Sequence, residues 1–127
     1  MAGLSRIEVV LYRESTGEVP LLSWLGSIPV RARDACLVRL QLLEEYGREL
    51  RRPHADFLRD GIYELRARRD GVNYRMLYFF CGRQVVVVSH GVIKQRATVP
   101  PREIERAIAR MISFRRHAEV HSFRGGI

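Results

Sequence analysis

The stretch ELRARRDGVNYRMLYF, residues 64–79, decides the fold. It holds two runs of strand-forming residues on either side of Asp70-Gly71, a dipeptide typical of a two-residue β-turn. With that turn, Arg66 lies directly opposite Arg75. Like charges in facing positions destabilise a strand pair by roughly 0.2–1 kcal/mol. The stretch therefore predicts a hairpin with one repulsive face, which an anion lying over the face would stabilise.

Strand alternation separates the two faces of this hairpin. One face is apolar and core-like, and there Tyr63, Leu65 and Ala67 meet Tyr78, Met76 and Tyr74. The other face carries Glu64, Arg66 and Arg68 on the first strand and Arg75 on the second. The arginines thus share a face, whichever tight loop joins the strands.

A second compact turn at Gly82-Arg83 predicts that His90 faces Arg75. One row across three strands then reads Arg66, Arg75, His90, and this row fits a phosphodiester backbone. His90 is a candidate general base, since an ordinary imidazole pKa of about 6.5 suits proton transfer near neutrality. Two alternative interpretations remain. In the first, Glu64 neutralises one arginine and water solvates the others. In the second, His90 is a structural residue at the end of a strand. Further basic residues extend the patch: Arg68, Arg69, Lys94 and Arg96.

The length and composition of the chain limit the classes of protein to which it can belong. The 127 residues suit a single domain, 1–127, and a net charge of +8 favours a polyanionic partner such as nucleic acid. Cys36 and Cys81 lack the spacing of a metal site or disulfide framework, so we expect no metal, no cofactor and a reducing cytoplasm. No signal peptide or membrane span is predicted.

The remaining pattern predicts a small α+β domain with a largely antiparallel sheet, an N-terminal helical hairpin and a C-terminal helix. Strands are expected at 6–13, 62–69, 73–81 and 84–90, with the VVVVS strand central and covered on both faces. Helices are expected from Glu18-Val19-Pro20, from Pro29 to Gly47 and from Pro100-Pro101. Residues 48–61 and 91–99 are read as connections, and the tail from about His117 as flexible.

These segments resemble a known family. GIYELRARRDGVNYRMLYFF, followed by VVVVSHGVIKQRATVPPREIERAIARM, is similar to the HigB-like, phage-derived branch of the RelE/ParE toxin superfamily. The shared pattern has four parts: Leu65-Arg66, Arg75 with Tyr78, residues 90–94 (HGVIK), and Thr98-Val99-Pro100. It covers residues 60–115 closely and implies a RelE-like fold.

The resemblance implies a ribonuclease toxin that cuts mRNA on the ribosome and is neutralised by a helix-turn-helix antitoxin. Arg66 and Arg75 match positions that hold the scissile phosphate, Lys94 matches a basic residue after the last strand, and His90 precedes that loop. Some RelE-type toxins use a tyrosine near the C-terminal end. This chain has Phe114 and Phe123 in that region and no tyrosine after Tyr78.

The leading hypothesis is therefore a metal-independent endoribonuclease, the toxin of a type II toxin–antitoxin pair. Its predicted catalytic residues are Arg66, Arg75, His90 and Lys94. Its predicted nucleic-acid contacts are Arg68, Arg69, Arg96 and Arg102. Two alternatives are a ParE-like, non-catalytic inhibitor of DNA gyrase and a degenerate phage remnant that only binds nucleic acid. Attack by an RNA 2′-hydroxyl needs a base and charge stabilisation but no metal.

Overall fold

The computed structural model of the chain describes residues 7–125, which form a mixed α+β fold. The helices are α1 (Pro20–Ser27), α2 (Val30–Tyr46) and α3 (Pro101–Arg116), and a 3₁₀ turn spans Gly47–Glu49. The strands are β1 (Glu8–Tyr12), β2 (Ala55–Arg59), β3 (Ile62–Arg69), β4 (Val72–Cys81), β5 (Val85–Lys94) and β6 (Ser122–Phe123). They form one sheet in the order β2-β3-β4-β5-β1-β6, antiparallel except for the β5–β1 pair. The predicted α+β class with a largely antiparallel sheet is confirmed.

The β3–β4 hairpin has the register that the sequence predicts. Arg66 pairs with Arg75, and Arg69 pairs with Val72 across a two-residue loop. Asp70 and Gly71 have φ angles of +50° and +80°. Positive φ at both central residues is the requirement of a type I′ turn, which Asp-Gly meets at low cost. The turn chemistry therefore fixes which arginines face each other.

The predicted register between β4 and β5 is wrong. Cys81 pairs with Val85, because the loop has three residues rather than two, and a bulge follows between Leu77 and Tyr78. Each irregularity shifts the register by one residue, so His90 lies opposite Leu77, and Arg75 faces Val92. The predicted Arg66–Arg75–His90 row does not exist. A two-residue shift keeps His90 on the same face as Arg75 but moves it along the strand.

Helices cover the sheet on both faces. Residues of α1 and α2 pack with one face of the sheet, around Leu65, Met76 and Val88, whereas α3 packs on the other, around Leu77, Phe79 and Val87. Val86, Val87 and Val88 are fully buried, and β5 pairs with both β4 and β1. The prediction of a central strand covered on both faces is confirmed. The predicted hairpin arrangement of α1 and α2 stays a prediction.

Three segments predicted as irregular contain strands. The expected 48–61 loop holds β2, the expected 91–99 connection begins with the last four residues of β5, and β6 lies in the tail expected to lack structure after His117. Arg6, the predicted start of the first strand, lies outside the described residues, as do residues 126–127. Between residues 7 and 125, no helix is long and apolar enough to cross a membrane.

Candidate functional site

Four basic side chains share one face of the sheet. Pairing puts Arg66 beside Arg75 in one row, and Arg68, Asn73 and Lys94 in the next. Alternation places all of these side chains on the face that α3 covers in part. We call Arg66, Arg68, Arg75 and Lys94 the basic sheet face. Lys94 was predicted in a loop, but it is the last residue of β5.

Glu64 offsets the repulsion between the two facing arginines. Its carboxylate accepts a hydrogen bond from Arg66 Nε at 2.8 Å, and its other oxygen lies 3.3 Å from Arg75 Nε. Asp56 adds a second carboxylate, 3.4 Å from Arg66 Nη2. Glu64 is only 3% exposed. Glu64 therefore contacts both facing arginines, whereas the alternative stated from the sequence gave it only one.

Arg75 is a buried guanidinium with incomplete compensation. Its residue is 6% exposed, its Nη1 donates to the Tyr74 carbonyl oxygen at 3.2 Å, and its Nε makes no hydrogen bond among the described residues. Burial lowers the pKa of Arg75, Glu64 acts in the opposite direction, and Arg66 lowers it further. The charged form of Arg75 is therefore poorly solvated in the folded protein.

A pocket of about 230 Å³ opens beside this pair, where β3 extends beyond β2. Four arginines line it, namely Arg39, Arg66, Arg68 and Arg75, together with Pro53, His54, Ala67 and Asn73. We call it the arginine pocket. Arg39 lies on α2 and also donates to the Arg66 carbonyl oxygen at 3.0 Å. The sequence reasoning missed Arg39 and His54, since only the pairing of distant segments brings them here.

His90 lies away from this pocket, in a network that joins β5 to α3. Its Nδ1 lies 2.7 Å from Ser89 Oγ, and its Nε2 lies 3.1 Å from Glu103 Oε1. Arg110 donates to Ser89 Oγ at 3.4 Å. These contacts fit a neutral ring that donates from Nε2 to the carboxylate and accepts at Nδ1 from the hydroxyl. Burial first, and then Arg110, lower the pKa of His90 to about 4.

This network resembles a nucleophilic triad only in its composition. Ser89 is fully buried and His90 is 5% exposed, so no substrate atom can reach the hydroxyl. The bulge explains why two successive residues of β5 both contact α3. The contacts favour a structural role for His90, and its catalytic role stays a prediction.

The other predicted contacts are spread over the surface. Arg69 points to the opposite face, where it lines a pocket with Arg31 and Asp34. Arg96 and Arg102 line a separate pocket of about 230 Å³ with Glu103, whose carboxylate lies 3.7 Å from Arg102 Nε. Of the eight predicted site residues, the arginine pocket therefore brings together three: Arg66, Arg68 and Arg75.

Comparison with known proteins gives the family. Residues 23–112 match the family described as "Phage derived protein Gp49-like (DUF891)", a span that runs from α1 into α3 and includes the whole basic sheet face. The chain belongs to this phage-derived Gp49-like family, which is associated with toxin–antitoxin systems. No curated protein matches the sequence.

Proposed function

We propose that this protein is the toxin of a type II toxin–antitoxin pair and an endoribonuclease that cleaves mRNA, with activity on the translating ribosome. The arginine pocket carries the proposal: four arginines line a cavity of about 230 Å³, and one of them, Arg75, is buried and poorly solvated. Membership of a toxin–antitoxin-associated family supports it, as does the resemblance to HigB-like, RelE-type toxins. A helix-turn-helix antitoxin is the expected partner, and the cytoplasm the expected location.

In the proposed reaction, the 2′-oxygen of RNA forms a bond to phosphorus while the bond to the 5′-oxygen breaks. The proton of the 2′-hydroxyl passes to a base, and the leaving 5′-oxygen takes a proton. Arg66 and Arg75 would stabilise the charge that grows on the phosphate oxygens, which is often the largest contribution to such catalysis. Lys94, which follows Arg68 and Asn73 across the sheet, would position the RNA backbone.

Two imidazoles compete for the role of the base. His54 lines the arginine pocket itself, where the phosphate is proposed to bind. His90 was predicted from the sequence, but both of its ring nitrogens have partners inside the protein. An imidazole suits proton transfer near neutrality, and we favour His54 because it lines the pocket.

Induction of this chain alone should arrest growth and shorten cellular mRNA, with cleavage sites mapped by primer extension. His54→Gln should abolish cleavage in a folded protein, whereas His90→Gln should keep its activity per folded molecule. The exposed His117→Gln is the matched control. Normal growth at verified soluble expression would contradict the proposal. Growth arrest with intact mRNA and inhibited DNA supercoiling would instead favour a gyrase inhibitor.

A further inference from the structure

A second basic surface lies at the end of the sheet opposite the Asp70-Gly71 turn. Two adjoining cavities, of about 500 and 460 Å³, share Arg48 and Tyr63 in their walls. Four arginines and three aromatic rings contribute to them: Arg48, Arg51, Arg83 and Arg115 with Phe57, Tyr63 and Phe80. We call these seven residues the aromatic–arginine groove.

The rings of this groove are ordered by strand pairing. Phe57, Tyr63 and Tyr78 lie opposite one another on β2, β3 and β4. Phe57 meets Tyr63 edge to face at 5.1 Å, and Tyr63 stacks on Tyr78 at 5.3 Å with an interplanar angle of 16°. Phe57 is nevertheless 52% exposed, at the edge of the sheet. A large exposed ring backed by rigid rings offers a flat surface on which another ring can stack.

The arginines of the groove lack ion-pair partners in the part of the chain that the structure describes. Among residues 7–125, none of the ion pairs involves Arg48, Arg51, Arg83 or Arg115. Arg48 lies 4.2 Å above the Phe80 ring and donates to the Gly82 carbonyl oxygen at 2.5 Å. This differs from the basic sheet face, where Glu64 contacts two arginines.

One carboxylate, that of Asp56, also lines the groove. It lies 2.7 Å from Arg52 Nη2 and 3.4 Å from Arg66 Nη2. Asp56 therefore marks the place where the groove adjoins the arginine pocket. Tyr63 and Arg66 are three residues apart on β3, about 10 Å along the strand, and their side chains lie on opposite faces of the sheet.

We propose that the aromatic–arginine groove binds single-stranded RNA that flanks the cleaved phosphate. The inference rests on the proposed function for the identity of the nucleic acid. Aromatic rings that stack on bases, alternating with arginines that follow the backbone, are the features by which proteins hold single strands without reading sequence. An acidic protein segment would be attracted by the arginines but would leave the exposed Phe57 ring without a stacking partner.

The test is binding of a fluorescent single-stranded 2′-O-methyl oligoribonucleotide, which cannot be cleaved by 2′-attack, measured by anisotropy on the full chain. Phe57→Ala should weaken binding by about fivefold or more, as expected when one base loses its stacking partner. Arg83→Ala and Arg115→Ala should each lower the slope of log Kd against log salt by about 0.7, the value for one phosphate of a single strand. Circular dichroism verifies folding.

The matched controls are Val38→Ala, which removes another half-exposed apolar side chain, and Arg116→Ala, which removes an exposed arginine outside the groove. Groove variants that bind the RNA as tightly as these controls would overturn the inference. Variants that keep RNA binding and lose only their binding to the antitoxin would also overturn the inference, because the groove would then be a protein-binding surface. If the groove variants bind RNA more weakly but the wild-type chain never arrests growth, the groove inference is supported and the proposed nuclease function is contradicted.

Discussion

Arg75 combines burial, a charge and a missing hydrogen bond, and this combination makes it the most informative residue to change. Arg75→Ala removes a poorly solvated charge, while Glu64 keeps its 2.8 Å bond to Arg66. We expect the variant to stay folded and RNA cleavage to fall about a hundredfold or more, the effect of losing one preorganised donor. Chemical denaturation and single-turnover cleavage measure the two effects.

Arg116→Ala serves as the control for Arg75→Ala, since Arg116 is exposed at the end of α3. It should leave both stability and cleavage unchanged. A folded Arg75→Ala protein with full toxicity would show that the basic sheet face is not the active site.

His90 should make stability depend on pH. The pKa of His90 is lowered from 6.5 to about 4 in the folded state, chiefly by burial, so protonation favours unfolding. The free energy of unfolding should therefore fall as pH drops from about 6.5 to about 4, by at most about 3 kcal/mol. In His90→Gln the contribution of His90 to this pH dependence should disappear. Denaturation curves measured at several pH values between about 6.5 and about 4 test this.

Exposed His117→Gln is the comparison for this measurement. It should keep the wild-type pH dependence. An unchanged pH dependence in His90→Gln would mean that the Ser89–His90–Glu103 network does not hold a neutral ring.

At the level of elements, turn chemistry could be read from the sequence and bulges could not. Asp60-Gly61 has nearly the same positive φ angles as Asp70-Gly71 and likewise joins two strands, β2 and β3, through a two-residue loop. The strand β2 could therefore have been predicted from that dipeptide. The β4–β5 register depends on a three-residue loop and a bulge. No pattern of residues in the sequence indicates either of them. The face of each arginine was predictable from alternation, but their counter-ion Glu64 and the neighbours Arg39 and His54 depend on tertiary packing.

Gly91 on β5 is required by the packing of α1. A Cβ at this position would overlap the indole ring of Trp24, whose edge faces Tyr74 at 6.0 Å between ring centroids. Gly91→Ala should therefore displace Trp24 and destabilise the protein by about 1–3 kcal/mol, the usual cost of overpacking. Because Trp24 is the only tryptophan, its fluorescence reports the change directly.

Gly26→Ala is the control for Gly91→Ala, because a Cβ at Gly26 meets no atom within 4 Å. It should leave the emission spectrum unchanged. If Gly91→Ala shows wild-type emission and stability, α1 does not depend on this close approach.

For the whole molecule, a net charge of +8 on 127 residues predicts a tight acidic partner. Co-expression with an adjacent antitoxin gene should give a stable complex and restore growth. Association should slow as salt increases, because steering by the overall field is screened beyond about 10 Å at 0.1 M ionic strength. Stopped-flow mixing at several salt concentrations measures this. Two species that stay separate on size exclusion would contradict the prediction.

The β5–β1–β6 end of the sheet sets an order of events during synthesis. Within residues 7–125, β1 pairs with β5 and β6 alone, and these strands begin some 70 to 110 positions later in the chain. The local hairpin of β3 and β4 can form first, whereas long-range pairing is slow because a large loop must close. In a nascent chain the Arg66–Arg75 pair can therefore form before the sheet is complete, and β6, the last strand among residues 7–125, pairs with β1, the first.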